Sequence, residues 1–473
     1  MPRFLVAVGL ALLLVACPDP GLDVDAGTGP TLVLLEAPSP ARGPLRVHLI
    51  VETTRALSLG LDVDSGSGSG PATLFEAASD LPTPDPSAGR IEVTLIWDSV
   101  SDVDGDAPVQ LRARWSAGGD SGVLEPATTV QVNNDPDTTR WVLAPHPSGM
   151  LPSGGSSNVN DQVSVLTLDA HGGIADTGTD LTVGTGPSKA LFTPDGTLAF
   201  TLNGRDSTVT VLDVTASGIT RRTGALDLSP YSFYDLAVAP DGTSLFVVAG
   251  TGPENALFEY DLSSGTPVEM RSLDLGSVAQ CLAVFPRGDL IAVGRGSPNG
   301  RWFEIYDRRD LSLVGAVEYD ALLCSGLRVS LDAHWAVSAD QLGSTQVALF
   351  DVSDATAPTV VATVSNLTAV VEGIFHPDSS ALAVSTLNGN SVVPYAISSS
   401  GQLSAGSKVS GGLSLAAEMD IVTRGSQRGL IAVSALTAVV MVQLDAAGTA
   451  YKRGTVDLGS GIENSVEGLA ISP

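Results

Sequence analysis

Basic residues, histidine and known catalytic motifs are scarce in this chain of 473 residues. Lys and Arg number 24 against 52 Asp and Glu, which gives a formal net charge of −28. A surface of that sign repels phosphate backbones, so the sequence predicts no nucleic-acid partner. Only five histidines are present, and no HExxH, GxSxG, Walker or GxGxxG motif occurs in a strand–helix context. No motif therefore points to a catalytic site, although a Ser-His-Asp arrangement stays open because Ser and Asp are abundant.

Charged residues of both signs are also few. They make up 16% of the chain, against about 25% in average globular proteins. Because 43% of the residues are hydrophobic, the composition excludes disorder, which needs low hydrophobicity and high charge. The 51 glycines fit tightly turned β structure, and amphipathic 3.6-residue patterning is absent. A chain of this length predicts several domains or a repeat array.

No apolar run is long enough to span a membrane. The run Leu5–Ala16 follows Arg3 and is shorter than the roughly 20 residues of a membrane span, which indicates a signal peptide over residues 1–16. Its end, Leu14-Val15-Ala16-Cys17, resembles the lipobox of bacterial lipoproteins. That resemblance implies a diacylglycerol on the sulfur of Cys17, cleavage just before it, and a membrane as partner. Pro18, where the family's inner-membrane signal has Asp, favours the outer membrane. An ordinary signal peptide with a chance cysteine is the alternative.

Residues 17–30 are rich in Pro, Gly and Asp and predict a flexible tether. Residues 31–135 then predict an immunoglobulin-like β-sandwich, because seven short strands are separated by turn-forming clusters. Trp97 and Trp115 are its expected core aromatics. The predicted strands are Thr31–Leu35, Leu45–Glu52, Leu57–Val63, Thr73–Glu76, Arg90–Trp97, Val109–Trp115 and Thr128–Val132.

One acidic string in this region suggests a metal site. Closely spaced carboxylates in a loop suit a hard cation such as Ca²⁺, and the string contains Asp98, Asp102, Asp104 and Asp106. The EF-hand pattern is not met, because position 111 is Leu. A solvated Asp/Gly turn is the alternative, and no other cofactor is predicted.

A repeat organises residues 139–473. Turns of the Pro-Asp-Gly type recur 45 or 46 residues apart, at Asp195, Asp241, Arg287, Asp332 and Asp378. A strand-rich period of this length is typical of propeller blades. Counting inner strands predicts an all-β, seven-bladed propeller, in which Leu469–Ser472 complete the first blade beside the strand of Trp141.

These units resemble the YVTN and lactonase-like propellers of bacteria. The likeness is carried by the Pro-Asp-Gly turns and by four third strands, although no unit contains the literal Tyr-Val-Thr-Asn. The resemblance implies the seven-bladed fold, but the family mixes sugar-lactone hydrolases, cycloisomerases and binding proteins. The third strands are Val209–Asp213, Leu257–Asp261, Phe303–Asp307 and Val347–Asp351.

Charged residues at or just before the inner strands predict a polar, net acidic pocket on the propeller axis. A charge on a strand that should be buried needs a partner or water. A ligand pocket, acid–base chemistry on a lactone, and a water-filled channel with mutually neutralised charges all remain open. The candidate ligand-binding residues are Lys189, Asp235, Arg328, Glu372, Glu418 and Asp420.

Two further cysteines, Cys281 and Cys324, align at the openings of neighbouring inner strands. Outside the cytoplasm they can form a disulfide between two blades, and two buried free thiols are the alternative. The sequence as a whole predicts a lipid-anchored protein of the cell envelope that binds a protein, glycan or small ligand on a propeller face. A lactonase-like hydrolase acting on a sugar lactone is the rival hypothesis.

Overall fold

The computed structural model describes residues 29–473 except 38–43, 54–56, 66–68, 73, 76–88, 99–101, 104, 118, 135–138, 147–159, 170–171, 252–253, 277, 296–301, 320–323, 341–345, 366, 425–426 and 459–467. All elements defined within this part are β-strands. No described helix has the length and apolarity needed to cross a bilayer. The chain divides into two compact units, Met1–Asn133 and Asn134–Pro473.

The first unit contains two four-stranded sheets. One has the order β1 (Thr31–Glu36), β2 (Pro44–Glu52), β6 (Arg90–Asp98), β5 (Leu74–Phe75); the other has the order β4 (Ser69–Pro71), β3 (Ser58–Asp64), β7 (Gly105–Ala117), β8 (Asp120–Asn134). Residues of both sheets share a single hydrophobic core. Trp97 is fully buried in that core and Trp115 packs against it, so both aromatic residues contribute to its packing.

The second unit is a β-propeller whose described strands form seven separate sheets. Each sheet is one antiparallel blade, and we number the blades in chain order. Blade 1 contains β9 (Arg140–Pro145), β10 (Gln162–Leu168), β11 (Ile174–Thr182) and, from the far end of the sequence, β37 (Ala470–Ile471). Blade 2 contains β12 (Pro187–Phe192), β13 (Leu198–Asn203), β14 (Thr208–Thr215) and β15 (Gly218–Asp227). Blade 3 contains β16 (Ser232–Val238), β17 (Ser244–Thr251), β18 (Glu254–Asp261) and β19 (Val268–Asp274).

The remaining four blades repeat this order from the inner to the outer strand. Blade 4 contains β20 (Ala279–Val284), β21 (Leu290–Arg295), β22 (Trp302–Asp307) and β23 (Leu313–Glu318), and blade 5 contains β24 (Cys324–Val329), β25 (Trp335–Asp340), β26 (Val347–Asp351) and β27 (Thr359–Val364). Blade 6 contains β28 (Val370–Phe375), β29 (Ala381–Thr386), β30 (Ser391–Ile397) and two short outer pieces, β31 (Leu403–Ala405) and β32 (Val409–Ser410). Blade 7 contains β33 (Met419–Ile421), β34 (Leu430–Ala435), β35 (Ala438–Leu444) and β36 (Ala450–Asp457).

The recurring turns join the first and second strands of a blade. In blade 2, the Asp195 carboxylate accepts a hydrogen bond from the backbone N–H of Thr197 at 3.0 Å, and Gly196 takes the left-handed conformation at φ 67°. Blades 5 and 6 place Ala333 and Ser379 at the equivalent position, also with positive φ. The turn is therefore built even where glycine is missing, because the strands on either side of it fix its geometry.

The second strands are buried on both faces, because each blade packs against a neighbour on either side. β13, β25, β29 and β34 are buried along their whole length. Their apolar residues join clusters that cross from one blade to the next, as where Phe200 of blade 2 packs with Leu245 and Tyr260 of blade 3. Continuous apolar second strands, rather than alternating ones, are what this two-sided packing requires.

The two ends of the propeller segment close the ring. Ala470 and Ile471 pair with Leu143 and Val142 of β9. Beyond the ladder, the Ser472 N–H donates to the Trp141 carbonyl at 2.8 Å and the Trp141 N–H donates to the Ser472 hydroxyl at 2.9 Å. The predicted pairing of Leu469–Ser472 beside the strand of Trp141 is confirmed.

Candidate functional site

A register shift interrupts the first pairing of the inner strand in five blades. It lies between residues 187 and 189, 233 and 235, 279 and 281, 324 and 326, and 370 and 373. Bulges of this kind re-aim side chains at the rim of a sheet. The residues that end or lie within these shifts include Lys189, Asp235, Cys281 and Glu372, which are positions that the sequence singled out.

Contacts at this level, most of them made by side chains, connect each inner strand to the next one around the axis. Within the described residues the circle is complete, and we call this set of seven links the inner girdle. The links, from blades 1–2 to blades 7–1, are Ala190 N–H to Gly468 O at 2.6 Å, Lys189 to Asp235, Leu282 N–H to Asp235 Oδ2 at 2.9 Å, the Cys281–Cys324 disulfide, Ser325 Oγ to Val371 O at 2.7 Å, Met419 N–H to Glu372 Oε2 at 2.6 Å, and Ile471 N–H to Asp420 Oδ2 at 2.7 Å. The same task is thus performed around the ring by an ion pair, a disulfide and hydrogen bonds.

Arg328 and Glu372 form the central ion pair of this girdle. Nε of Arg328 donates a hydrogen bond to Oε1 of Glu372 at 2.8 Å. Nη2 of the same guanidinium lies 2.7 Å from that oxygen. The same Nη2 also donates to the Met419 carbonyl at 3.3 Å, so the side chain spans blades 5, 6 and 7. Glu372 is 4% exposed and Arg328 33% exposed. One side of the guanidinium therefore still faces solvent at the axis.

Lys189 and Asp235 form a second pair. Asp235 accepts from its neighbour Leu236 N–H at 2.8 Å as well as from Lys189, while its other oxygen holds Leu282 of blade 4. Burial alone would lower the pKa of Lys189, but the attraction of Asp235 and Glu418 outweighs it and raises that pKa. The two side chains therefore form an ion pair that links blades 2 and 3.

Asp420 and Glu418 come from the same short inner strand region of blade 7. Asp420 accepts from Ile421 N–H at 3.0 Å and from Ile471 N–H of blade 1 at 2.7 Å. Burial raises the pKa of Asp420, against the opposing attraction of Arg328. Glu418 is half-buried, and its charge raises the pKa values of both Lys189 and Arg328. Electrostatic interactions with Arg328 thus connect the other five predicted residues around the axis.

The arrangement restricts the chemistry that these acids can perform. Each carboxylate oxygen of Asp235, Glu372 and Asp420 accepts at least one hydrogen bond from the protein. A general base needs a lone pair directed at the proton that it removes. These three carboxylates join neighbouring blades through the hydrogen bonds that they accept.

Sequence reasoning missed a second ionic cluster, between blades 3 and 4. Arg308 donates to Asp241 at 2.7 Å and to Ser244 at 2.9 Å, and lies 3.6 Å from the buried carboxylate of Glu259. Arg271 donates to the other Glu259 oxygen at 2.7 Å. Glu259 lies within the apolar third strand of blade 3. A charge in such a strand was the sequence signal that could have predicted this cluster.

The predicted cation site lies mostly outside the described residues. Asp104 is not described, and neither are the side chains of Asp98 and Asp106. Asp102 accepts a hydrogen bond from the Trp97 indole at 2.7 Å. The part of the chain that the structure describes contains no cluster of three or more metal-binding side chains. The site stays a prediction, as does lipidation of Cys17, which also lies outside the described residues.

Comparison with known proteins identifies the fold. No family model matches the sequence, and no curated protein matches it. Among solved structures, the periplasmic gluconolactonase of Pseudomonas aeruginosa is 17% identical with a TM-score of 0.54, and the match covers 71% of this chain and 99% of that one. Two candidate 6-phosphogluconolactonases give similar matches. That of Bacteroides fragilis is 13% identical with a TM-score of 0.54, and the match covers 70% of this chain and 98% of that one. That of Bacteroides uniformis is 12% identical with a TM-score of 0.56, and the match covers 70% of this chain and 99% of that one. At such identities the likeness extends to a lactonase-like propeller fold alone.

Proposed function

We propose that this lactonase-like propeller serves as a lipid-anchored binding or scaffolding protein of the cell envelope, which holds a protein, glycan or small ligand on one face. The observation that carries the proposal is the inner girdle. Asp235, Glu372 and Asp420 are axial acids, and each uses both oxygens to accept hydrogen bonds that fix the inner strands. A ring locked in this way is a rigid platform.

Turnover through these residues would disturb the contacts that join the blades. Protonating Glu372 would remove the anionic partner of Arg328, and moving it would also release the Met419 N–H. A buried group that loses its partner costs about 1–3 kcal/mol, and more when the group is charged. A catalytic cycle through these carboxylates would repeatedly pass through that destabilised state.

The rest of the proposal concerns how the platform is held. Cys17 carries the lipid, residues 17–30 form the tether, and residues 31–135 form an immunoglobulin-like spacer before the propeller at 139–473. Two sheets around one core support the sandwich assignment. Pro18, which follows the lipobox cysteine, favours the outer membrane. The net charge of −28 favours solubility of the part of the chain beyond the anchor.

The alternative is a lactonase-like hydrolase with its site at the propeller funnel. It is supported by the names of the structural neighbours and by two polar groups at the axis, the half-buried Glu418 and the exposed side of Arg328. In that case Glu418 acts as the base and Arg328 stabilises the developing oxyanion.

A hydrolysis assay separates the two proposals. We expect the purified full chain to leave the rates of glucono-δ-lactone and 6-phosphogluconolactone hydrolysis at their buffer values. Acceleration that Glu418→Gln abolishes, without a change in melting temperature, would establish the hydrolase. A parallel thermal-shift screen with sugar lactones, glycans and Ca²⁺ tests binding, and we expect a glycan, rather than a lactone, to raise the melting temperature.

The anchor has its own test. The full chain should sediment with membranes and Cys17→Ser should remain in the supernatant, while Cys281→Ser, which leaves the lipobox intact, should still sediment. Wild-type protein recovered in the supernatant would refute the anchor and leave the platform proposal standing.

A further inference from the structure

One link of the inner girdle is covalent. Cys281 of blade 4 and Cys324 of blade 5 form a disulfide, with their Cα atoms 5.8 Å apart. That separation lies within the range that a disulfide permits. Both residues are buried, at 1% and 6% exposure, among the aromatic rings of Phe303 and Phe350. Reductants in solution therefore reach this bond only when the surrounding structure opens.

Neighbouring structure is shaped to admit the bond. Gly294 pairs with Cys281 across the first two strands of blade 4. A Cβ atom at position 294 would lie 2.5 Å from the sulfur of Cys281 and 2.7 Å from that of Cys324. Leu202 and Val248 occupy the corresponding places in blades 2 and 3. Since Gly294 does not need a left-handed backbone, the glycine serves to leave space for two sulfurs.

Among the described residues, the disulfide is the one girdle link between β20 of blade 4 and β24 of blade 5. In blade 4, Cys281 itself stands where blades 2 and 3 carry Lys189 and Asp235, so blade 4 has no charged side chain at that position. Without the disulfide, blades 4 and 5 retain apolar packing through residues such as Phe303 and Phe350, whose rings stack with centroids 4.5 Å apart. The girdle would be open at this one place.

We propose that oxidation locks the propeller: the ring reaches its full stability only after Cys281 and Cys324 have been joined. The two thiols lose two electrons and two protons as the S–S bond forms. A disulfide donor, either an oxidised dithiol protein or oxidised glutathione, takes them up and becomes two thiols. In a reducing compartment the chain stays unlocked, and it locks after export. Only this last step rests on the proposed envelope location.

The lock is tested by melting curves of the full chain. The bond closes a sequence separation of 43 residues, and it constrains the unfolded chain accordingly. We expect Cys281→Ser/Cys324→Ser, and wild-type protein refolded under reductant, to melt about 5–10 °C below the oxidised protein. The double variant should be unaffected by reductant. Native oxidised protein should resist reductant until it is heated.

Two glycine variants provide a matched comparison. Gly294→Ala should lower the fraction of oxidised protein and the melting temperature together, because its methyl group occupies the place of the sulfurs. Gly454→Ala, where a Cβ would meet nothing within 4 Å, should change neither. Oxidised and reduced wild-type proteins that melt within about 1 °C of each other would overturn the lock, since the chain-entropy cost of the loop predicts a larger shift.

Alkylation of the peptides that contain Cys281 and Cys324 measures the oxidation state directly. It remains informative if a variant fails to fold. Protected cysteines are expected in protein recovered from the envelope fraction. Free thiols there would refute the oxidation step, whereas protein absent from that fraction would refute only the proposed location.

Discussion

Replacing Glu372 with Ala tests whether the axial carboxylates are structural. The buried carboxylate accepts from Arg328 at 2.8 Å and from the Met419 N–H at 2.6 Å. An orphaned buried N–H costs about 1–3 kcal/mol, and breaking a buried ion pair costs about 3–5 kcal/mol. Because Arg328 is 33% exposed, water at the axis reduces the second cost. We therefore expect Glu372→Ala to lower the free energy of unfolding by about 3 kcal/mol.

Urea denaturation of the full chain measures this change, with the propeller transition followed by circular dichroism. Glu372→Gln keeps an acceptor for Met419 but loses the charge, so it should lose about half as much stability. The control is Glu92→Ala, which removes an exposed partner of Arg90 (57% and 52% exposed) and should cost less than about 1 kcal/mol. A Glu372→Ala protein within about 0.5 kcal/mol of wild type would refute the structural role, since the orphaned N–H alone should cost at least about 1 kcal/mol.

Three other substitutions test the ring, the acid at its closure and the cluster between blades 3 and 4. Ser472→Ala removes the acceptor of the Trp141 N–H and should cost about 1 kcal/mol in urea denaturation, and no loss would show that the ladder alone closes the ring. The pKa of Asp420 is raised in the folded state, so its contribution to stability is present below the unfolded pKa and is lost as pH rises through the folded value. Melting temperatures measured from about pH 4 upward should therefore fall for wild type relative to Asp420→Asn, and parallel curves would contradict this. Arg308→Ala should cost about 3 kcal/mol because it leaves Glu259 with one cation fewer, whereas Arg309→Ala, at a side chain that is 65% exposed, should cost less than about 0.5 kcal/mol; equal losses would be inconsistent with the buried cluster.

The blades were predictable from sequence because their signals are local. An Asp195-type turn and the apolar runs on either side of it are encoded within one repeat, and the repeat period gives the number of blades. Closure by Leu469–Ser472 followed from counting, since one inner strand was missing at the start and present at the end.

The connections between blades were less predictable, because they depend on residues about 46 positions apart meeting across a curved surface. The charges of Asp235 and Glu372 were visible in the sequence, but a bulge decides which neighbour each side chain reaches. Ser325 and Gly294 carried no signal, since a serine or glycine on a strand is unremarkable until its neighbour is known. Whether an axial acid holds a strand or a ligand is decided by its partners.

The placement of β37 in blade 1 affects how the protein is made. Synthesis delivers the blades in order, yet the first blade lacks its inner strand until Ala470 and Ile471 have emerged from the ribosome. Until then the propeller segment is an unclosed series of sheets with an exposed edge at β9. A fusion partner attached just after Pro473 would crowd that final pairing, so affinity tags are better placed elsewhere.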